Sequence, residues 1–287
     1  MQRFNAQTVK ENAAKAVFTL TALVSILAVV LICVFLLLGG LPGLEKIGLL
    51  PFLTGQKWKP GQEIFGILPF ILGSVYVTGG ALIIGVPAGL MTALFLSRFA
   101  SKRMVKLLRP AVQLLAGIPS VVYGFFGLVV IVPLVRDCFG GTGLSLLTAS
   151  LLLGIMILPT IITVAESALN AVPSSYYEGA LALGATHERA VFRVMLPAAK
   201  SGVMAGIILG IGRAIGEATA VMMVAGNRTA MPKGLLAGIR TMTSNIVIEM
   251  GYAADLHREA LIATAVVLFV FILMINVLAS ILKRRRS

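Results

Sequence analysis

Six long apolar stretches separated by polar or basic segments dominate the pattern of this chain. A helix needs about 20 residues to cross the hydrocarbon core of a bilayer, and each stretch reaches that length. The pattern predicts six membrane-spanning helices, at 16–38, 68–97, 111–135, 144–169, 201–226 and 258–282. Between them it predicts a segment at 39–67, a basic loop at 98–110, a short turn at 136–143, a long segment at 170–200 and a loop at 227–257. The first stretch is longer than the apolar part of a secretory signal and no small-residue cleavage site follows it, so we expect a retained anchor.

The composition supports a place in the bilayer. Of the 287 residues, 58% are hydrophobic and 12% are charged, whereas about a quarter of the residues of a soluble domain are charged. The two cysteines, Cys33 and Cys138, have no CxxC spacing and no nearby histidine. Neither a zinc site nor a structural disulfide is therefore expected.

The net charge of +13 comes mainly from short basic runs between apolar stretches. The two densest runs are Arg98, Lys102, Arg103, Lys106 and Arg109, and then Lys283, Arg284, Arg285 and Arg286. Basic loops stay on the cytoplasmic side, so this distribution predicts that both termini are cytoplasmic. A nucleic-acid surface would need one continuous basic face with aromatic or polar readers, and the sequence shows none.

Small residues recur every fourth position in the fifth stretch. They are Gly202, Gly206, Gly210, Ala214 and Ala218. In a helix this spacing forms a flat face on which a neighbouring helix can rest. We therefore expect a close helix–helix contact along this stretch.

The segment 170–200, between the fourth and fifth stretches, has internal structure. Ser175 and Glu178 have the spacing of a capping box, which starts a helix. Gly184 can end that helix in the left-handed conformation, and Thr186 can cap a second helix that runs to the break at Leu196-Pro197. The sequence predicts a helix-turn-helix elbow lying against the membrane.

This segment also carries a resemblance to a known family. Glu178-Gly179-Ala180, then Gly184, then Val194-Met195-Leu196-Pro197 follow the spacing of the EAA loop of ABC importer permeases. The departures are Gly179 for the middle alanine and Val194 for isoleucine. The resemblance implies that the elbow is a coupling helix docking on an ATPase subunit. We accordingly assign coupling to Glu178, Gly179, Ala180, Gly184 and Ala185.

Other motifs narrow the resemblance to permeases of phosphate importers, of the PstC type. These motifs are Phe52-Leu53-Thr54-Gly55 with Trp58, the run AGIPSVVYG at 116–124, Ile157-Leu158-Pro159, Gly212-Arg213-Ala214-Ile215-Gly216-Glu217 and the AVMMVAGN run after Glu217. The implied fold is all-α, a polytopic membrane protein with six transmembrane helices and the type I ABC importer permease architecture. An anchor helix and outer loop would occupy 1–66, and a permease core 67–287, with its coupling elbow at 173–197.

The resemblance also implies an assembly in the bacterial cytoplasmic membrane. Its partners would be a second permease of the PstA type, an ATPase dimer of the PstB type and an extracytoplasmic phosphate-binding protein of the PstS type. ATP and magnesium would be bound by the ATPase, with no cofactor in this chain. The sequence agrees, because it contains no GxxxxGK[ST] loop to hold nucleotide phosphates.

Two charges in the fifth stretch need a reason, because a charge at the centre of a membrane helix costs about 2.5–3.5 kcal/mol on insertion scales. Arg213 and Glu217 are four residues apart, which predicts a pair on one helix face. A neutralised structural pair is one interpretation. The other is a substrate pathway in which Arg213 offers its planar guanidinium to a phosphate oxyanion and Glu217 holds the arginine or repels the anion.

The remaining polar residues receive weaker predictions. An interfacial charge or an intersubunit salt bridge suffices for Glu166 and Glu259, and His187 and His257 lie in loops without an assigned role. Alternatives for the whole chain are a permease for molybdate or sulfate and an ion-coupled secondary carrier, although no inverted repeat is visible. A membrane-embedded enzyme is disfavoured, because HExxH, GxSxG and paired catalytic carboxylates are absent.

Overall fold

The computed structural model describes residues 2–284, except for the side chains of 2–10, 13, 279–280 and 282–284. The predicted basic run at the carboxyl end therefore falls outside what can be described: Arg285 and Arg286 entirely, and Lys283 and Arg284 in their side chains.

Helices make up nearly all of the regular structure. The first part contains α1 (Gln2–Ile47), α2 (Leu49–Thr54), a two-stranded antiparallel hairpin of β1 (Trp58–Lys59) and β2 (Ile64–Phe65), α3 (Leu68–Leu94), α4 (Lys102–Gly117), α5 (Ser120–Phe126), α6 (Val132–Phe139) and α7 (Leu146–Asn170). The second part contains α8 (Ser174–Ala182), α9 (His187–Ala190), α10 (Leu196–Ala198), α11 (Lys200–Gly216), α12 (Thr219–Val224), α13 (Met242–Glu249) and α14 (Asp255–Arg284). Single π-helical turns extend α3 through Phe99 and join α5 to α6 and α9 to α10, while a 3₁₀ turn at Pro60–Gln62 closes the hairpin.

Among the residues that the structure describes, five helical segments are long and apolar enough to cross a membrane. They are Ala14–Ile47, Leu68–Phe99, Ser120–Phe139, Leu146–Asn170 and Asp255–Leu278. A sixth candidate combines His187–Ala198 with Lys200–Gly216, which are bent by 71° where they meet. The predicted all-α architecture with up to six spans is confirmed.

The bundle has two ends. We call the end that carries α8–α10 the elbow end, and the opposite end, where α3, α7 and α14 begin, the distal end. α7 lies at the centre, with α3 and α11 against it. Glycines make both contacts close: Gly85 of α3 lies against Ile157 and the backbone of Gly154, and Gly206 of α11 lies against Val164. The predicted small-residue face of the fifth stretch is thus confirmed up to Ala214, and its partner is α7.

The third predicted span differs from the prediction. Residues 98–110 are not a loop, because α4 begins at Lys102, where the Ser101 hydroxyl accepts a hydrogen bond from the Met104 amide. The helix ends at Gly117, and Ile118 is extended (φ −69°, ψ 127°). Proline disfavours the helical conformation in the residue before it, so Pro119 explains this break.

The fifth predicted span is broken as well. α11 ends at Gly216, Glu217 is extended (φ −73°, ψ 123°), and α12 begins at Thr219. Ala218, the last position of the predicted small-residue face, therefore lies outside α11. The following segment, predicted as a loop at 227–257, contains the mostly buried helix α13.

α1 touches the rest of the bundle near the distal end. Gly40 and Gly43 let it approach α14 closely, and the Lys46 ammonium binds both carboxylate oxygens of Glu259 at 2.7 and 2.8 Å. From residue 11 to residue 32, every described side chain of α1 is exposed. An apolar and exposed helix surface of this length is typical of contact with lipid.

We predict that Gly85→Ala destabilises the bundle, because the added methyl group would lie 2.8 Å from the Ile157 side chain and 2.9 Å from the Gly154 carbonyl oxygen. Overpacking of this kind costs roughly 1–3 kcal/mol. Gly79→Ala on the same helix is the control, since no atom lies within 4 Å of its added methyl group. Thermal unfolding of the detergent-purified protein measures both. Equal melting temperatures for the two variants would contradict the packing described here.

Candidate functional site

The predicted elbow is present, but its first helix starts differently from the prediction. α8 begins at Ser174 after Pro173, and no side chain caps its first turn. The capping box predicted from Ser175 and Glu178 is therefore wrong. Pro173 explains the start physically, because proline suits the beginning of a helix, where the missing N–H has no carbonyl partner to lose.

The end of α8 agrees with the prediction. Gly184 has φ 83°, and its amide donates to the Leu181 carbonyl at 2.9 Å. The Ala185 amide donates to the Ala180 carbonyl at 3.0 Å. These two bonds form a Schellman motif, which fixes the sharp turn between the elbow helices. Only glycine adopts this φ at little cost, which explains why Gly184 occupies the position.

The second elbow helix also begins as predicted. The Thr186 hydroxyl accepts a hydrogen bond from the Arg189 amide at 3.3 Å. Hydrogen bonds from its own backbone amide and from Thr186 lower the pKa of Glu188, which keeps a negative charge on the first turn. The helix continues through Pro197 to Ala198, beyond the break predicted at Leu196-Pro197, and the 71° bend comes at Ala199.

Side-chain contacts hold the elbow to the bundle. The Tyr177 hydroxyl of α8 lies 2.7 Å from Nδ1 of His187 on α9, which joins the two elbow helices. The Phe99 ring, at the end of α3, packs edge-on against His187 with centroids 4.7 Å apart. Arg98 donates to the Leu169 carbonyl of α7 at 2.9 Å. His187, which had no assigned role from the sequence, thus connects the elbow to the end of α3.

A buried cluster continues these contacts into the bundle. Val191 and Met195 from the second elbow helix are fully buried, together with Ala93, Leu94, Ala165, Leu169, Ala199 and Val203 from α3, α7 and the start of α11. Movement of the elbow is therefore mechanically tied to three membrane helices.

The outer surface of the elbow is open. Glu178, Gly179 and Gly184 are exposed, and no atom lies within 4 Å of a methyl group added at either glycine. Leu183, which is not among the predicted coupling residues, is 91% exposed. Ala180 and Ala185 are partly buried because they form the turn. The predicted coupling residues thus cluster on one small and accessible protrusion.

Arg213 and Glu217 do not form the predicted pair. The helix ends between them, and no ion pair within 4.0 Å joins Arg213 to any described carboxylate. The Glu217 carboxylate instead accepts a hydrogen bond from the Ala220 amide at 3.0 Å, which caps α12. A spacing of four residues brings two side chains together only within one continuous helix, and Glu217 lies beyond the end of α11. Arg213 is left with its guanidinium uncommitted to a carboxylate of the described residues.

The breaks in the third and fifth spans lie side by side. α5 and α12 run in the same direction, because Gly124 of α5 packs against Ala220 and Met223 of α12, and Gly127, just after α5, packs against Val224. Open space adjoins the glycines before both breaks, since no atom lies within 4 Å of a methyl group added at Gly117, Gly212 or Gly216. Arg213 lies between two of these glycines. The arrangement combines a partly exposed cation with an interrupted backbone and small side chains.

A polar network at the distal end was not anticipated from the sequence. The Glu249 carboxylate binds Arg240 through one oxygen, and the other oxygen lies 2.8 Å from both Trp58 Nε1 and His257 Nε2. The Glu249 and Arg240 side chains are only 7% and 11% exposed. The network connects the hairpin, α13 and α14, which are far apart in sequence. His257 therefore has a structural partner that its position in a predicted loop did not suggest.

The two carboxylates left open by the sequence both form pairs within this chain. Glu166 of α7 is buried and binds Arg109 of α4. Glu259 of α14 binds Lys46 of α1. Among the described residues, no group of three or more His, Cys, Asp or Glu side chains is arranged to hold a metal ion.

Sequence comparisons find close relatives over nearly the whole chain. A family model described as "Binding-protein-dependent transport system inner membrane component" matches residues 85–287. The "Probable ABC transporter permease protein YqgH" of Bacillus subtilis is 39% identical over 93% of this chain and 90% of its own length. The "Phosphate transport system permease protein PstC" of Haemophilus influenzae is 32% identical over 98% of this chain and 95% of its own length.

Solved structures share the fold at lower identity. A bacterial alginate ABC transporter, in complex with an alginate-pentasaccharide-bound periplasmic protein, matches with a TM-score of 0.62 at 16% identity. The match covers 92% of this chain and 94% of that chain. An inward-facing MetNI methionine ABC transporter matches with a TM-score of 0.59 at 19% identity, covering 80% and 100%. Identities this low indicate a common fold and leave the substrate open.

We predict that Glu249→Gln strongly destabilises the protein, because it leaves Arg240 buried without its counter-charge. Removing one partner of a buried pair costs about 3–5 kcal/mol. Glu259→Gln is the matched control, because its partner Lys46 is 55% exposed and an exposed pair contributes up to about 1 kcal/mol. Melting temperatures of the purified variants provide the measurement. A Glu249→Gln variant as stable as Glu259→Gln would show that the network is dispensable.

Proposed function

Since this chain belongs to the family of binding-protein-dependent transport system inner membrane components, we propose that it is the permease subunit of an ATP-driven importer of inorganic phosphate. The observation that carries the substrate is the identity of 31–36% to relatives named phosphate transport system permease protein PstC, several of them over most of the chain. The chain would form half of a translocation pathway, with the other half supplied by a related permease of the PstA type.

Arg213 is the proposed contact for the anion in this pathway. It lies one turn before the break in the fifth span, beside glycines that face open space, and no described carboxylate neutralises it. A guanidinium presents paired N–H donors that match the oxygens of phosphate. Glu217 has a different proposed role from the one expected, since its carboxylate caps α12. In this role Glu217 stabilises the start of α12 and does not neutralise the Arg213 guanidinium.

The elbow is the proposed point of coupling to a separate ATPase. Glu178, Gly179 and Gly184 form its accessible surface, while the Schellman turn at Ala180 and Ala185 makes it stiff. Closure of the ATPase dimer would push on this protrusion. The contacts of His187 with Phe99 and the buried cluster around Met195 would carry that movement to α3, α7 and α11. ATP and magnesium belong to the ATPase in this proposal.

The elbow end is the proposed cytoplasmic end, with both termini on that side. The exposed basic residues Lys102, Arg103 and Lys106 of α4 lie there, as expected for the cytoplasmic side of a membrane protein. The distal end would then face outward and receive a phosphate-binding protein of the PstS type. Such a division gives each partner one end of the bundle.

We predict that Arg213→Gln lowers phosphate uptake at least tenfold in vesicles that contain the complete complex. Loss of the guanidinium removes a charge-assisted contact, and such contacts contribute about 1.5–3 kcal/mol. Arg213→Lys keeps the charge without the fork and should retain part of the uptake. The measurement is the initial rate of radioactive phosphate accumulation at matched expression.

Arg136→Gln is the control, because Arg136 is an exposed arginine at the distal end of α6 whose ion partner is its neighbour Asp137. Its uptake should stay within about twofold of the unaltered protein. Unchanged uptake in Arg213→Gln would remove this arginine from the pathway. Competition by molybdate or sulfate, but not by phosphate, would reassign the substrate. Uptake that survives loss of the ATPase but not loss of the proton gradient would instead indicate a secondary carrier.

We predict that Gly179→Trp abolishes co-purification of the ATPase while membrane insertion is retained. Position 179 is helical and exposed, so the indole fits without backbone strain and blocks only the docking surface. Gly61→Trp, equally open but in the hairpin at the distal end, is the control. Pull-down of the complex from detergent extracts measures both. Normal recovery of the ATPase with Gly179→Trp would move the coupling site elsewhere.

A further inference from the structure

The short helix α13 lies directly against the break in the fifth span. The Thr243 hydroxyl donates to the Glu217 carbonyl oxygen at 2.9 Å, and the Ser244 hydroxyl reaches the Ala218 carbonyl oxygen at 3.5 Å. A carbonyl at a helix break has lost its helical partner, so another group has to satisfy it. Thr243 supplies that hydrogen bond for Glu217.

α13 itself is fixed at its first turn. The Thr241 hydroxyl caps the helix by accepting from the Ser244 amide at 3.1 Å, and the Ser74 hydroxyl of α3 accepts from the Met242 amide at 3.0 Å. Met242, Thr243 and Ser244 are all buried. The threonine that meets the break is therefore held by α3 as well as by its own helix.

The other end of α13 is fixed too. Glu249, its last residue, is the centre of the distal network with Arg240, Trp58 and His257. Because a helix of eight residues anchored at both ends cannot shift by itself, Thr243 has a defined position relative to the hairpin, α3 and α14. The Glu217 carbonyl oxygen therefore binds a hydroxyl whose position is fixed.

We propose that Thr243 is a positioning residue for Glu217. The Glu217 amide donates to the Ala214 carbonyl at 3.3 Å, and the Glu217 carbonyl accepts from Thr243, so both sides of its extended backbone are held. This backbone directs the carboxylate onto the Ala220 amide of α12 and away from Arg213. Without the Thr243 bond, Glu217 can turn back to Arg213 and neutralise it. The inference rests on the proposed function, which it deepens.

The first test measures transport with three variants of the complete complex. Thr243→Val removes the donor at nearly constant volume, and phosphate uptake should fall about tenfold. Thr243→Ser keeps the hydroxyl and should restore uptake to within twofold of the unaltered protein. Thr264→Val is the matched control, because Thr264 is a buried threonine of α14 that donates only to the Ala260 carbonyl of its own helix. Its uptake should not change.

A double variant separates positioning from general destabilisation. If Thr243 acts through Glu217, then Thr243→Val combined with Glu217→Gln should transport no more slowly than Glu217→Gln alone. A further loss in the double variant, multiplying the two single effects, would overturn the proposal. Equal losses in Thr243→Val, Thr243→Ser and Thr264→Val would overturn it as well, because packing alone would then explain them.

A second test needs no substrate. The chain for this test carries Cys33→Ser and Cys138→Ser, which remove the native thiols. Gly216→Cys then introduces a single thiol at an open position next to Glu217. Its rate of reaction with a small maleimide should change at least fivefold when Thr243→Val is added and less than twofold with Thr243→Ser or Thr264→Val. An unchanged rate with Thr243→Val would overturn the proposal. If the unaltered complex imports no phosphate, the proposed function fails, while this reaction rate still decides whether Thr243 holds the break.

Discussion

The need to satisfy backbone polar groups away from water governs this molecule. A continuous helix meets that need by itself, and most of the apolar segments follow this solution. The third and fifth spans do not, because the third is interrupted before α5 and the fifth before α12. Around the interruptions, side chains make the hydrogen bonds that the helix no longer makes. The Tyr123 hydroxyl donates to the Leu115 carbonyl across the first break. At the second break, the Glu217 carboxylate accepts from the Ala220 amide and the Thr243 hydroxyl donates to the Glu217 carbonyl.

In the proposed pathway, these interruptions serve to place Arg213 next to a helix end instead of within a continuous helix. α11 ends one turn after Arg213, and no atom lies within 4 Å of a methyl group added at Gly212 or Gly216 on either side of it. Breaking two helices is costly in lipid, so the surrounding structure has to compensate. Close packing of α3 and α11 on α7 supplies a firm frame, and the ion pair of half-exposed Arg109 with buried Glu166 attaches α4 to it.

Much of the fold could be predicted from the sequence, since apolar length defines spans and glycine spacing defines a contact face. The elbow was also predictable, because Gly184 and Thr186 act on their immediate neighbours. The predicted pairing of Arg213 with Glu217 was wrong because it required a helix that continues through Glu217, whereas α11 ends at Gly216. The charge of the basic residues predicted a loop at 98–110. These residues alternate with apolar residues in a pattern that fits a helix, and α4 begins at Lys102.

The distal network illustrates a different limit of sequence reasoning. Glu249 is 191 residues from Trp58 in the chain, and no periodicity relates them. The hairpin, α13 and α14 come together because their apolar residues share one buried cluster with the start of α3. Glu166 and Glu259 were recognised as needing partners, but the identity of Arg109 and Lys46 depended on helix packing. Local rules locate caps and turns, whereas contacts between distant segments follow from the assembled bundle.

The length of α1 has a consequence for how the protein sits in its membrane. Its candidate membrane span, Ala14–Ile47, has 34 residues and extends about 51 Å, well above the roughly 30 Å of a hydrocarbon core. Such hydrophobic mismatch is relieved by tilt or by local thickening of the bilayer. α1 is attached to α14 near the distal end, through Gly40, Gly43 and Lys46. The described side chains of α1 from residue 11 to residue 32 are all exposed, so no contact of theirs within this chain fixes the inclination of the helix. The angle of this helix is therefore set by bilayer thickness, and it should differ between thin and thick membranes while the rest of the bundle keeps its shape.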